Sequence, residues 1–146
     1  MVSVETIKFL DKYLGSLSCL ILSINKFFHR KKIPKYNHIL IIQLWGIGET
    51  ILTLPSIKAL REKYKKSDID ILVTNRNKDI FYNNRNINNI KVLKLNPFSI
   101  KFFILKNWRK YDLVIDMEEY LNISSIIAFF TGKERIGYSH GLRANL

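Results

Sequence analysis

The segment from Trp45 to Thr50, Trp-Gly-Ile-Gly-Glu-Thr, combines two glycines with one carboxylate directly after an apolar run. Glycine allows a sharp backbone turn and the close approach of a ligand, and a helix that begins after the turn offers free backbone amides. The helix dipole stabilises a carboxylate such as Glu49 in the first helical turn. From the residues alone, Glu49 is either a structural acid at the helix start or a general base that takes a proton from a substrate hydroxyl.

A dinucleotide site is a less favoured interpretation of the same turn. The fingerprint Gly-x-Gly-x-x-Gly has its first two glycines at Gly46 and Gly48, but Ile51 stands at the third position. The acid that would bind a ribose after the second predicted strand is also missing, because Asp68 and Asp70 stand at the start of that strand. A nicotinamide or flavin cofactor is therefore not expected, and a nucleotide-dependent oxidoreductase is the weakest of the functions considered.

Short apolar runs alternate with helical patterns from His38 onwards, which predicts an α/β domain with a Rossmann-like parallel sheet and flanking helices. Strands are predicted at 39–44, 68–74, 91–95, 112–117 and 134–138, helices at 49–65, 99–111 and 121–130, and a short polar helix or loop at 76–85. Pro55 lies inside the first helix, so a kink or a later helix start is expected there. The Gly-x-Gly-Glu turn then lies at the carboxyl edge of the sheet, where open α/β sheets bind their ligands.

Three stretches of the chain together resemble a known family. They are ILIIQLWGIGETILTLPSIKALREKY at 39–64, DIDILVTNRN at 68–77 and YDLVIDMEEYLNISSIIAFFTGKERIGY at 111–138. The first resembles the opening of the ADP-heptose:lipopolysaccharide heptosyltransferases, glycosyltransferase family 9, in which a strand runs into a Gly-Asp turn and then an apolar helix. The third resembles that family's "YDLVID" strand, the helix after it and a Gly-x-x-x-Arg-x-Gly-Phe/Tyr step.

The resemblance implies that residues 36–146 are the N-terminal, acceptor-side domain of a GT-B glycosyltransferase, with the C-terminal donor domain absent from this chain. It implies inverting transfer of a sugar, heptose from ADP-heptose being the family's usual donor, to a lipopolysaccharide-type or other lipid-linked acceptor. No cofactor is implied beyond the nucleotide-sugar. The general base falls on Glu49, where the family more usually has Asp, and this chain by itself is expected to be inactive or nearly so.

Further site positions follow from the same resemblance. The expected substrate-binding residues are Trp45, Gly46, Gly48, Thr50, Arg76, Glu118 and Tyr120. Arg76 either meets an acidic acceptor sugar or is a solvated surface arginine. Glu118 either hydrogen-bonds acceptor hydroxyls or begins a helix, and Tyr120 either stacks on a sugar ring or belongs to the core. Asp116 and Glu119 are expected at the same ligand edge, and Arg135 and Gly137 are as readily a structural turn as a contact.

Residues 1–35 form a separate apolar and basic segment that ends near Pro34. Between Lys12 and Lys26 the chain carries no charge, but this stretch is shorter than the about 20 apolar residues that span a bilayer. Two interpretations remain open for Leu14–Phe28. It is either a helix in the membrane interface, with the basic run 29–32 on anionic headgroups, or an amphipathic helix packed on the domain. The first predicts a peripheral protein on the inner, cytoplasmic face of the cell membrane.

The bulk composition narrows the partners. The formal net charge is +12, which favours an anionic partner. Lys and Arg are spread along the chain without the aromatic-interleaved cluster of a nucleic-acid groove, so no nucleic acid is expected. Cys19 is the single cysteine and no Cys/His spacing predicts a metal site, which favours a reducing compartment. A non-catalytic module that binds a sugar or an anionic lipid in the same crevice remains the alternative function.

Overall fold

The computed structural model describes residue 9, residues 11–23 and residues 35–138, and its sheet confirms the predicted α/β Rossmann-like architecture. The parallel strands are β1 (His38–Ile42), β2 (Asp68–Val73), β3 (Asn89–Val92), β4 (Tyr111–Asp116) and β5 (Gly132–Ile136), in the spatial order β3-β2-β1-β4-β5. β1 lies at the centre, and its residues from Ile39 to Ile42 are fully buried. A parallel strand covered on both faces needs such a continuous apolar run.

Helices cover both faces of the sheet. They are α1 (Ser16–Ser23), which follows a π-helical turn at Asp11–Gly15, then α2 (Ile47–Lys63), α3 (Pro97–Lys106) and α4 (Asn122–Thr131), with a short 3-10 turn at Lys78–Phe81. Ile57 of α2 packs on the face that carries Ile39 and Ile41. Ile127 of α4 packs on the opposite face, with Leu40, where α3 also packs. The alternation of helix and strand therefore produces two apolar clusters, one on each side of β1.

Several helix boundaries differ from the sequence predictions: α2 and α3 both begin earlier than predicted, and α3 ends at Lys106 rather than at 111, because Tyr111 begins β4. α2 begins at Ile47 and continues through Pro55, so a late start at the proline is wrong. An interior proline removes one intrahelical hydrogen bond and crowds the preceding turn, but this helix begins upstream of it, where the backbone bond from Thr50 to the carbonyl of Gly46, 3.1 Å long, closes the first turn. α3 begins at Pro97, earlier than predicted, because the Asn96 side chain accepts a hydrogen bond from the Ser99 amide at 2.8 Å and caps the helix.

Asp112 connects three strands at the amino edge of the sheet. Its carboxylate accepts hydrogen bonds from the amides of Asn37 (2.9 Å) and His38 (3.1 Å) and pairs with Lys133 at 2.8 Å. Burial disfavours the charged form, but the bond from Lys133 and the two amides outweigh it and hold the pKa of the Asp112 carboxyl below its usual range. Ionised Asp112 therefore stabilises the folded chain.

This pKa shift predicts a loss of stability in acid. A carboxyl group whose pKa is lower in the folded than in the unfolded chain stabilises the protein at a pH above its unfolded-state pKa, about 4. That stabilisation is lost as the pH falls through the folded-state pKa. Urea unfolding between about pH 6 and about pH 3 should show a steeper decline for the native chain than for Asp112→Asn. Equal slopes for the two chains would contradict this role.

The described part of the N-terminal segment packs on the domain. Asp11 accepts hydrogen bonds from the amides of Asn122 and Ile123, both at 2.7 Å, and so caps the start of α4. Gly15 and Cys19 are buried on this side. The outward side exposes Tyr13, Leu14, Leu17, Leu20 and Ile21. Residues 24–34, which include the end of the predicted Leu14–Phe28 stretch and its basic flank, lie outside the described residues.

No helix within residues 11–23 and 35–138 combines the length and the apolar character that crossing a bilayer would require.

Candidate functional site

The turn after β1 is built on Gly46. Gly46 has a φ of 73°, in the left-handed region that favours glycine, and it precedes the first helical residue, Ile47. Glu49 lies in the first turn of α2, and its carboxylate folds back over Gly46 so closely that a Cβ at position 46 would overlap it. Gly46 is thus favoured by its backbone angle, and a side chain at position 46 would also displace the flexible Glu49 carboxylate. Gly48 has an ordinary φ, and the space that a Cβ would occupy there is open.

The two glycines give a matched pair of variants. Gly46→Ala should lower the free energy of unfolding by about 1–2 kcal/mol, because a left-handed angle is unfavourable for alanine, and it should also displace Glu49. Gly48→Ala should leave stability unchanged or raise it by up to about 1 kcal/mol, because alanine is the better helix former. Urea unfolding of both variants measures the difference. An equal loss in the two would contradict the turn geometry.

Glu118 fixes the loop after β4 to the loop after β1. It is fully buried, and its carboxylate accepts hydrogen bonds from the amides of Leu44 (3.1 Å), Trp45 (2.8 Å) and Tyr120 (3.1 Å). These three hydrogen bonds replace the hydration that the buried carboxyl group loses. Glu118 thus holds the two loops in position, a role that neither interpretation of the sequence anticipated. Its contact with an acceptor sugar stays a prediction.

A second buried network joins the same turn to the loop after β2. The Asn77 side-chain amide donates to the Gln43 carbonyl and to the Thr50 hydroxyl, both at 2.9 Å. The Thr50 hydroxyl in turn donates to the Gly46 carbonyl at 2.5 Å. Thr50 is fully buried, so it shapes the turn from within, and its contact with a substrate stays a prediction.

A cleft of about 290 Å³ opens between the start of α2 and the loop after β4. It is lined by Gln43, Glu49, Leu52, Thr53, Ser56, Met117, Glu118, Glu119, Tyr120 and Tyr138. Of the predicted site residues, Glu49, Glu118 and Tyr120 come together here. Glu49 and Tyr120 are exposed, which leaves a carboxylate and an aromatic ring accessible at one opening.

Trp45 and Arg76 form a pair beside the turn rather than part of the cleft lining. The Arg76 guanidinium lies over the Trp45 ring, 4.7 Å from its centroid, in the geometry of a cation–π contact. The Trp45 backbone is held by Glu118 and by the Gln43 side-chain amide, which donates to the Trp45 carbonyl at 2.8 Å. The predicted residues therefore separate into a cleft group (Glu49, Glu118 and Tyr120), a neighbouring Trp–Arg surface, and the turn residues Gly46, Gly48 and Thr50, which do not line the cleft.

Sequence reasoning missed several cleft residues. Thr53 and Ser56 follow Glu49 at the spacing i, i+4, i+7, which places the three polar side chains on one helix face. Their position beside Glu49 could therefore have been predicted from the sequence. Gln43 is the one polar residue in the run ILIIQL and is 1% exposed. Its side-chain carbonyl oxygen is buried and has no hydrogen-bond partner among the described residues. Buried polar atoms are rarely left so, and Gln43 lines the cleft.

The lining suits an uncharged, hydroxyl-rich compound. Carboxylates accept hydroxyl hydrogen bonds, the hydroxyls of Thr53 and Ser56 both donate and accept, and the rings of Tyr120 and Tyr138 offer apolar faces with polar tips. In the described part of the chain, no three His, Cys, Asp or Glu side chains form a group that could hold a metal ion. An exposed carboxylate beside such a cleft can take a proton from a bound hydroxyl.

Comparison with known proteins yields a structural match. No family model and no curated protein sequence matches the chain. The crystal structure of the glycosyl transferase family 9 protein from Veillonella parvula DSM 2008 is similar in fold, with a TM-score of 0.55 and 22% sequence identity. The match covers 69% of this chain and 31% of that chain, so the chain spans under a third of the length of that protein. This likeness confirms the predicted fold, a Rossmann-like domain that corresponds to half of a GT-B fold.

Proposed function

We propose that residues 36–146 are the acceptor-side domain of an inverting glycosyltransferase and that Glu49 is its general base. The observation that carries the proposal is the exposed Glu49 carboxylate at the opening of a polar and aromatic cleft, at the carboxyl edge of β1 and β4. Open α/β sheets bind ligands at this edge. The fold shared with a glycosyl transferase family 9 protein supports the same reaction class.

In the proposed reaction, an acceptor sugar lies in the cleft with one hydroxyl at the Glu49 carboxylate. Glu49 takes the proton of that hydroxyl while its oxygen attacks the anomeric carbon of a nucleotide-sugar. One carbon–oxygen bond forms, the bond from the anomeric carbon to the diphosphate breaks, and a nucleoside diphosphate leaves with inversion. Removal of the proton raises the nucleophilicity of the oxygen, and the cleft fixes its position.

The proposed donor is ADP-heptose, and the proposed acceptor is a lipopolysaccharide-type or other lipid-linked glycan. Most of the nucleotide-sugar would be held by a separate donor domain. Trp45, Gly46, Gly48, Thr50, Arg76, Glu118 and Tyr120 remain the proposed substrate-binding residues. The buried loop contacts of Glu118 and Thr50 support an indirect part for these two, in which they hold the turn that presents Glu49.

We also propose that residues 1–35 hold the protein at the inner face of the cell membrane. The support is the outward apolar stripe of the described segment, in which Leu17, Leu20 and Ile21 are each more than half exposed. An apolar stripe of this kind inserts into the headgroup region, and a basic flank adds attraction to anionic lipids. A lipid-linked acceptor would then be presented near the cleft.

Two measurements on the natural full-length protein test the proposed reaction. The first is binding of the lipid-free acceptor oligosaccharide by calorimetry, and the second is nucleoside diphosphate release with ADP-heptose, with UDP-glucose as the comparison donor. Transfer of heptose with a matching gain in acceptor mass is the expected result. Acceptor binding without any transfer would instead support a non-catalytic sugar-binding module. Binding of NAD(P) with no sugar binding would support an oxidoreductase and contradict the proposal.

A further inference from the structure

The outward face of α3 carries an apolar stripe that the domain does not bury. Phe98, Phe102 and Leu105 are 85%, 67% and 61% exposed, and their spacing of i, i+4 and i+7 places them in one row along the helix. The opposite side of α3 packs Ile100 and Phe103 against the core cluster that contains Leu40 and Ile42. The core therefore uses one side of α3, and the outward stripe needs another explanation.

Trp108 extends this surface just beyond the end of the helix. Its side chain is 55% exposed, and its ring packs against the ring of Phe130, with 5.1 Å between centroids and 32° between the ring planes. Phe130 belongs to α4, so the position of Trp108 is set by the folded domain. We call Phe98, Phe102, Leu105 and Trp108 the α3 surface. Apolar patches of this kind on a solvent-exposed face mark interaction sites.

The segment that contains the α3 surface carries only positively charged side chains. The segment from Leu93 to Tyr111 contains Lys94, Lys101, Lys106, Arg109 and Lys110 and no Asp or Glu. On the helix, Lys101 and Lys106 fall on opposite flanks of the apolar stripe, because their positions are rotated to either side of it. Both residues are exposed. Aromatic and leucine side chains between lysine flanks are typical of a helix that lies in a membrane interface.

We propose that the α3 surface docks on a lipid bilayer that contains anionic headgroups. Phe98, Phe102 and Leu105 enter the boundary between headgroups and acyl chains, and the flanking lysines contact the headgroups. The basic segment complements an anionic surface, and this is what selects a membrane over a second copy of the chain, whose own α3 surface carries the same charge.

This inference rests on the proposed membrane location but on a different part of the molecule. α1 and α3 both contact α4, so the stripe of the N-terminal segment and the α3 surface belong to helices on the same side of the sheet. Two weak contacts on one rigid domain bind a surface more tightly than either does separately. The docked orientation would also leave α2, on the other side of β1, facing away from the bilayer.

Vesicle flotation of the full chain tests the proposal. The vesicles contain phosphatidylcholine with either no or about 30% phosphatidylglycerol, so that the anionic surface potential is the only variable. The variant Phe98→Ser/Phe102→Ser/Leu105→Ser should bind anionic vesicles at least about tenfold more weakly. The variant Lys101→Gln/Lys106→Gln should lose about fivefold per lysine at low salt. Tyr82→Ser removes an exposed aromatic ring elsewhere on the domain and should bind within about twofold of the native chain.

The outcomes separate this inference from the other proposals. Native-like binding by the triple serine variant overturns the α3 surface as a docking site, as does native binding that ignores phosphatidylglycerol. A change from dimer to monomer in the same variant, without vesicle binding by the native chain, would identify an interface between copies and overturn it too. Loss of binding in Leu17→Ser/Ile21→Ser with full binding in the triple variant would leave only the N-terminal attachment. Acceptor binding is measured without lipid, so the proposed reaction stands or fails independently.

Discussion

Glu49→Gln should reduce sugar transfer by about 10²–10⁴-fold, the usual contribution of a general base, and should leave acceptor affinity within about twofold. Glutamine keeps the length and hydrogen-bonding shape of the side chain but cannot accept the proton at neutral pH. The measurement is turnover of the natural full-length protein with ADP-heptose and the acceptor, together with calorimetric binding of the acceptor. The predicted pattern is a fall in kcat with KM nearly unchanged.

Two further variants make this result specific. Glu49→Asp shortens the side chain by one methylene but keeps the carboxylate, so it should retain far more transfer than Glu49→Gln. Glu119→Gln removes an exposed carboxylate that lines the same cleft and should keep most of the activity. Near-native turnover in Glu49→Gln would exclude Glu49 as the base and leave it as a helix-start acid. An equal loss in Glu119→Gln would point to the charge of the cleft as a whole.

Replacement of Glu118 should have the largest effect on stability. Glu118→Ala leaves the buried amide of Leu44 and the part-buried amides of Trp45 and Tyr120 without their acceptor, and the free energy of unfolding should fall by about 3–5 kcal/mol. Glu118→Gln keeps one acceptor oxygen but turns an NH₂ group towards a backbone N–H, so it should lose about 2–3 kcal/mol. Urea unfolding with far-ultraviolet circular dichroism measures both.

The neighbouring residue provides the control for this stability effect. Glu119→Gln has the same charge change at an exposed position and should alter the free energy of unfolding by no more than about 0.5 kcal/mol. Hydrogen exchange at the Leu44 and Trp45 amides should also accelerate in Glu118→Ala but stay native-like in the control. If Glu118→Ala lowers the free energy of unfolding no more than Glu119→Gln does, Glu118 does not stabilise the contact between the loops after β1 and β4.

The fold could be predicted from the sequence because its signals are local. An apolar run such as Ile39–Leu44 identifies a doubly buried strand wherever it lies, and helical spacing identifies the elements between strands. Two of the boundaries that were wrong depend on single residues. Asn96 caps α3 two residues earlier than the apolar spacing indicates, and Pro55 stays inside α2 because the first turn is fixed upstream at Gly46.

The candidate site was only partly predictable because its contacts connect distant parts of the chain. Spacing could place Glu49 in a first helical turn, since that relation is local. It could not show that Glu118 accepts hydrogen bonds from Leu44, 74 residues away, or that Asn77 holds Thr50. Such pairs depend on which loops the sheet order brings together, and the position of β4 beside β1 is a property of the whole topology.

The hydrogen bonds between Glu118 and the turn after β1 also bear on the order in which the domain folds during synthesis. The turn at Gly46 leaves the ribosome long before Glu118 is synthesised, and β1 has no partner on that side until β4 arrives. Contacts between remote segments form late, because chain entropy is lost before they stabilise anything. We therefore expect the cleft to be among the last parts of the domain to mature, so that chains interrupted before β4 carry the Gly46 turn but have no pocket for a sugar.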